Sequence, residues 1–143
     1  VRSRRQRQMC IRDSPTLQSA QRIALNNGYD SFLMFNVYAQ RATRPDDMER
    51  VCNSALHEEN RKAFRYLLSL SESPAIWAAW GNIIEKRDYL MDCMRDFAAD
   101  GQAANAQWFT AGPLLKSGHP HHPLYLKSTT ALQPFDIDAY LCR

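Results

Sequence analysis

"AIWAAWG", residues 75–81, is an uncharged run of seven residues, too short for a helix and closed by a glycine. Runs of this kind suit strands covered on both faces, the habit of parallel sheets sandwiched between helices. A buried strand ending at Trp80-Gly81-Asn82 is therefore expected. Downstream, residues 83–98 carry the clearest periodicity in the chain. Ile83, Ile84, Tyr89, Leu90, Met91, Met94, Phe97 and Ala98 are apolar, while Glu85, Lys86, Asp88, Asp92, Arg95 and Asp96 mostly fall elsewhere. One face of a helix would pack and the other would be wet. "AQWFTAG", residues 106–112, then repeats the strand pattern.

Upstream, a helix from about Glu58 to Ser71 is expected from the stripe Ala63, Phe64, Leu67 and Leu68. A short helix is expected to begin near Pro45, where Asp46 and Asp47 complement its N-terminal dipole. "SFLMFN", residues 31–36, is almost unbroken in its apolarity and predicts another buried strand, ending on Asn36. Before it, Ser14-Pro15 suits a helix start, because Pro at the first helical position forgoes an N–H that has no partner there anyway. Leu17, Ala20, Ile23 and Ala24 would line its buried face, with Gly28 as its stop. Helix and strand thus alternate, which predicts an α/β fold: a three-layer sandwich with a short, mostly parallel sheet flanked by helices.

In such sheets ligands gather beyond the carboxyl ends of the strands. Three loops leave those ends: Asn36 to Arg41, Trp80 to Asn82, and Gly118 to Lys127. The last contains "GHPHHPLYLK", residues 118–127, with three histidines among ten residues. Imidazoles ligate zinc, copper or nickel, but two prolines fix the backbone so that neighbouring histidines point apart, and no acid or cysteine lies nearby in sequence. Neither a metal nor a cofactor is expected. The candidate ligand-binding residues are Asn36, Tyr38, Arg41, Trp80, Gly81, Asn82, His119 and Tyr125, with His122 as the candidate catalytic group. Asn36 offers a donor and an acceptor in one plane, Arg41 suits a phosphate or carboxylate, and Gly81 permits close approach of backbone or ligand. Each also has a plain structural alternative: a local cap, a surface arginine, a core indole, a turn.

The bulk properties narrow the choices. A chain of 143 residues, 45% hydrophobic and 23% charged, matches one globular domain. Its formal charge of +3 is misleading. Five of the 18 basic residues and one of the 15 acidic ones fall in residues 1–13, so the remainder carries 13 against 14. A near-neutral domain is a poor match for tight duplex binding, which draws most of its affinity from lysine and arginine on phosphates. Cys10, Cys52, Cys93 and Cys142 form no CxxC pair and follow no secretory signal, so free thiols in a reducing cytoplasm are expected. No apolar run approaches the roughly 20 residues that span a bilayer.

The opening "VRSRRQRQMCIRDS" resembles a peptide obtained when sequencing-adapter DNA is translated at the ends of metagenomic reading frames. Residues 1–12 are therefore expected to be non-native, with residues 13–143 as a single α/β domain. Together, "FLMFNVYAQRATRPDDM", "AAWGN" and "GHPHHPLYLK" resemble an uncharacterised family of bacterial and phage proteins, domain of unknown function 1643. Members carry an Asp-x-Pro-Thr helix start, a strand ending in Asn followed by Arg-Ala-Thr, an Ala-Trp-Gly-Asn strand end and a closing His-Pro-Leu-Tyr-Leu. Here these are Asp13 to Thr16, Asn36 with Arg41-Ala42-Thr43, Ala79 to Asn82, and His122 to Leu126.

The family usually begins with a strand and an Asn-Pro-Ser loop, so the resemblance implies a chain truncated at its first strand. It is in turn distantly similar to the uracil-DNA glycosylase-like fold. By that resemblance Asn36 would hydrogen-bond a flipped base, Tyr38 or Trp80 would stack on it, and His122 would stabilise developing negative charge. The glycosylases' water-positioning residue belongs to the early loop expected to be missing. The expected function is binding of a nucleobase, nucleotide or nucleic acid, with glycosidic-bond hydrolysis as the reaction class if the protein is an enzyme. The alternatives are a non-enzymatic accessory or protein-interaction domain and an inactive gene fragment.

Overall fold

A computed structural model of the chain describes residues 15–38 and 48–142. Its elements are α1 (Pro15–Asn26), α2 (Ser54–Leu68), β1 (Ala75–Ala78), α3 (Tyr89–Ala103), β2 (Gln107–Ala111), β3 (Leu132–Pro134) and α4 (Ile137–Leu141). Two 3-10 segments, Gly81–Lys86 and Pro123–Tyr125, follow β1 and the histidine loop. The fold is mixed α/β around a three-stranded sheet in the order β1-β2-β3. β1 and β2 run parallel with Ile76 opposite Trp108, and β3 returns antiparallel with Gln133 opposite Thr110.

The core lies between the sheet and α2, α3 and α4. Leu90, Cys93, Met94, Phe97 and Ala98 of α3 are buried against Phe64 and Leu68 of α2, Ala78 and Trp108 of the sheet, and Ile137 and Tyr140 of α4. These positions recur three and four apart, so one stripe of each helix reaches the core. A bidentate ion pair fastens α2 to α3. Arg61 donates from Nε and Nη2 to the two carboxylate oxygens of the buried Asp100, at 3.0 and 2.8 Å. Asp100 raises the Arg61 pKa, so this guanidinium keeps its charge despite partial burial. Helix ends are set locally. The Asn53 side chain accepts from Leu56 N–H to cap α2, and Asp136 does the same for α4 from Ala139 N–H. α1 begins on Pro15 as expected, and its buried face is Ala20, Ile23 and Ala24.

Three expectations are corrected. Residues 31–36 form no strand. A run apolar on both faces needs cover on both, and here Phe35 meets the rings of Phe64 and Phe97 and Phe32 is half-buried, while Leu33 and Met34 stay exposed. The stretch expected as one helix from residue 83 starts as the 3-10 segment, breaks at Arg87, which has extended backbone, and continues as α3 to Ala103. The antiparallel β3 and the short α4 were not expected at all. The helix expected near Pro45, Cys10 and the Ser14 cap lie outside the described residues.

Candidate functional site

Two loops that leave the carboxyl ends of neighbouring parallel strands meet. Gly81, after β1, donates its N–H to the carbonyl of Pro120 at 2.9 Å, and Ser117 Oγ hydrogen-bonds Asn82 Oδ1 at 2.6 Å. Gly81 sits in the left-handed region at φ +61, and a Cβ added there would lie 3.6 Å from the Cβ of His122. The close approach expected of Gly81 is thus to this loop's backbone and to His122.

His119 is the structural centre of the meeting. Only 3% exposed, it uses both ring nitrogens, Nδ1 toward the Tyr140 hydroxyl at 2.6 Å and Nε2 toward Glu85 Oε1 at 2.8 Å. Glu85 can only accept when ionised, so Nε2 carries a proton, and with the ring neutral Nδ1 takes the hydroxyl proton of Tyr140. Trp80 Nε1 in turn donates to the Tyr140 oxygen at 3.1 Å. The result is a one-directional chain, Trp80 N–H to Tyr140 O–H to His119 Nδ1, then His119 Nε2–H to Glu85, in which each member's polar group is satisfied. The ring of Trp80 meets Trp108, Phe135 and Tyr140, so much of its surface serves the aromatic core.

His122 differs from His119 in what it leaves over. Its Nδ1 accepts from Leu124 N–H at 3.3 Å, which requires a lone pair there and places the ring proton on Nε2 of the neutral imidazole. No described residue takes that Nε2 proton. Desolvation by burial lowers the His122 pKa from its ordinary 6.5, which keeps the ring neutral. Between the two pKa values the unfolded chain binds more protons than the folded one. His122 therefore contributes stability above about pH 6.5, and it is lost as pH falls through the depressed value. Unfolding titrations across that range should show a slope that is flatter in His122→Gln.

Asn36 and Tyr38 make contacts of their own. Asn36 is exposed, and its carbonyl accepts from Asn60 Nδ2 of α2 at 2.9 Å. Tyr38 accepts from Glu49 N–H at 3.0 Å. No hydrogen bond or ring contact among the described residues joins either to Trp80, His119 or His122. Arg41 and the side chain of Tyr125 lie outside the described residues. Hollows among the described residues include two with no lining residue from the histidine loop. One of about 10 Å³ is lined by Tyr38, Cys52, Asn53, His57, Tyr89 and Cys93 together with Val37. The other, about 220 Å³, is lined by Gln21, Ala24, Leu25, Tyr29, Asp30, Ser31 and Phe32.

Tyr140 and Glu85 are the functional-site residues that sequence reasoning missed. Glu85 carried the signal of a charge on a wet helix face, and Tyr140 carried none, since it joins the site from a five-residue helix. With both nitrogens of His119 committed, the histidines do not converge as ligands. Among the described residues no group of three or more His, Cys, Asp or Glu is placed to hold a metal ion. No described helix is long and apolar enough to cross a membrane.

No curated protein and no solved structure matches the chain. One family model does, over residues 7–124, a span that holds β1, β2 and the joined loops from Trp80 to His122. On that match the chain belongs to the family described as "Protein of unknown function (DUF1643)".

Proposed function

We propose that the loops after β1 and β2 form a binding site for a nucleobase or nucleotide, with the neutral His122 as its hydrogen-bond donor. One observation carries this reading: Nδ1 of His122 accepts from Leu124, so the ring offers an N–H from Nε2. A base or nucleotide carries exocyclic oxygens that accept such a bond, and a neutral donor suits an uncharged carbonyl that gains negative charge in a reaction. The arrangement agrees with the role that the resemblance to the uracil-DNA glycosylase-like fold gives this histidine. Asn82, whose side chain sits beside Ser117, supplies further polar edge. Asn36, Tyr38, Arg41, Trp80 and Tyr125 remain proposed ligand residues, and His119 is proposed to act by holding the loop rather than by touching ligand. The near-neutral charge outside residues 1–13 favours a free base, a nucleotide or a weakly held strand over tight duplex binding.

The test is a titration of the full chain with uracil, uridine monophosphate and a uracil-containing single strand, followed by tryptophan fluorescence. Saturable binding by at least one is expected. His122→Ala should weaken it roughly tenfold or more, the worth of one desolvated hydrogen bond. Silence with all three, or equal binding by the variant, contradicts the reading.

A second reading, an accessory domain that binds another protein, draws on the exposed Leu33 and Met34 and on β1, which among the described residues pairs on one side only. Capture of a partner that is insensitive to His122→Ala but lost in a Leu33→Ser, Met34→Ser variant would favour it.

A further inference from the structure

Away from the histidine loop, the small hollow between α2 and α3 holds an unusual set of groups. Cys52 and Cys93 both line it, facing one space little larger than a water molecule. Cys93 is buried on α3, while Cys52 is half-buried on the segment that leads into the Asn53 cap of α2. His57 lines the same hollow. Its Nε2 is 2.8 Å from Asp96 Oδ2, and its Nδ1 is buried with no hydrogen-bond partner among the described residues. Because Asp96 accepts, the His57 proton sits on Nε2 and Nδ1 keeps a lone pair. A hollow of about 10 Å³ is close to the least that admits one water. An orphaned buried acceptor beside two thiols costs stability, and nothing in the packing of α2 on α3 requires it.

We propose that Cys52 and Cys93 are a redox-active pair that closes to an intrachain disulfide on reaction with a low-molecular-weight disulfide. The half-buried Cys52 attacks first. Its thiolate bonds to one sulfur of the small disulfide, the S–S bond breaks, and one small thiol departs with the proton that Cys52 gave up. Cys93 then attacks the Cys52 sulfur of the mixed disulfide and releases the second small thiol. Burial and the neighbouring Cys52 push the Cys93 thiol up to about 12, so it does not attack unaided. His57 Nδ1, the lone-pair nitrogen in the same hollow, takes the Cys93 proton and passes it to the departing thiolate. The protein loses two hydrogens and two electrons' worth of reducing power, and the small disulfide gains both. The closed bond staples the segment before α2 to α3. Tyr38 and Tyr89 border the same hollow, and both hydroxyls bond the main chain of Glu49, so they are held with it.

The full chain, reduced and then incubated with oxidised glutathione, tests this directly. Remaining thiols are alkylated, and the protein is digested with trypsin and read by mass. A linked pair of peptides spanning residues 51–61 and 88–95 is expected, reversed by dithiothreitol. The double variant Cys10→Ser, Cys142→Ser should still form it. Cys52→Ser should leave Cys93 unmodified under the same exposure, and His57→Phe should slow closure while leaving glutathionylation of Cys52 intact. A stable glutathione adduct on Cys52 with Cys93 still alkylatable, or links that involve Cys10 or Cys142 instead, would overturn the proposal.

Discussion

Phe97→Ala is expected to cost about 3–5 kcal/mol of unfolding free energy, read from urea denaturation with wild type and variant side by side. Phe97 is 2% exposed and lies where the rings of Phe35, His57 and Phe64 meet, at centroid distances of 5.4, 5.4 and 5.0 Å. All three contacts are edge-on, the geometry in which a ring's positive rim meets another's negative face. Truncation removes one ring and leaves three facing a void that α2 and α3 cannot close, because Arg61 and Asp100 hold the helices at fixed spacing. Domains are stable by only about 5–15 kcal/mol, so the variant stands near the edge of folding. It should also free Phe35 and thus loosen residues 31–36, detectable as faster amide exchange there. A loss under about 1 kcal/mol would mean that the core centres elsewhere.

Tyr140→Phe is the second large effect, expected at about 2–4 kcal/mol. It deletes one oxygen and nothing else, yet two neighbours depend on it. Trp80 Nε1 loses its acceptor and His119 Nδ1 loses its donor. Each stranded buried polar group costs roughly 1–3 kcal/mol, and the half-buried Trp80 recovers part of its share from water. The effect should also reach the loop. The His119 ring helps tie the Leu115–Pro120 turn to the molecule, beside the Pro120 and Ser117 bonds to Gly81 and Asn82, while its main-chain carbonyl closes the turn on Leu115 N–H. Proteolytic cleavage between Lys116 and Ser117 should therefore quicken in the variant, while His119→Ala should show the same phenotype. Stability unchanged by Tyr140→Phe would remove the relay from the account.

The expectation that loops after β1 and β2 adjoin could be read from the chain because two short apolar runs flanking a helical stripe leave parallel pairing as the arrangement that buries both. Gly81 and Asn82 do meet Ser117, Pro120 and His122. A mix of helices around a small sheet is legible for the same reason, but the expected mostly parallel sheet is not found, since one of the two strand pairings is antiparallel. What escaped lies beyond the reach of local periodicity. Tyr140 pairs with Trp80 across 60 positions of sequence from a helix too short to show a period. Glu85 is exposed, as its wet face implied, but periodicity could not show that one of its oxygens accepts from the buried His119, 34 residues on. Residues 31–36 satisfy every sign of a buried strand except the one that matters, a partner, and among the described residues β1 pairs only with β2. Outside residues 1–13, composition said truthfully that charge is balanced. It could not say that Asp96 and Asp100, three and seven residues past Cys93 on α3, turn inward to His57 and Arg61.

The site rests on two histidines of one loop holding their protons on the same nitrogen for different ends, one to brace and one to present. Nitrogen–proton correlation spectra of the histidine rings near neutral pH resolve this directly. The expected result is that His119 and His122 both carry hydrogen on Nε2, and that adding uracil or its nucleotide moves the His122 Nε2–H signal while His119 stays put. A His122 ring protonated on Nδ1, or a ligand response confined to His119, would contradict it.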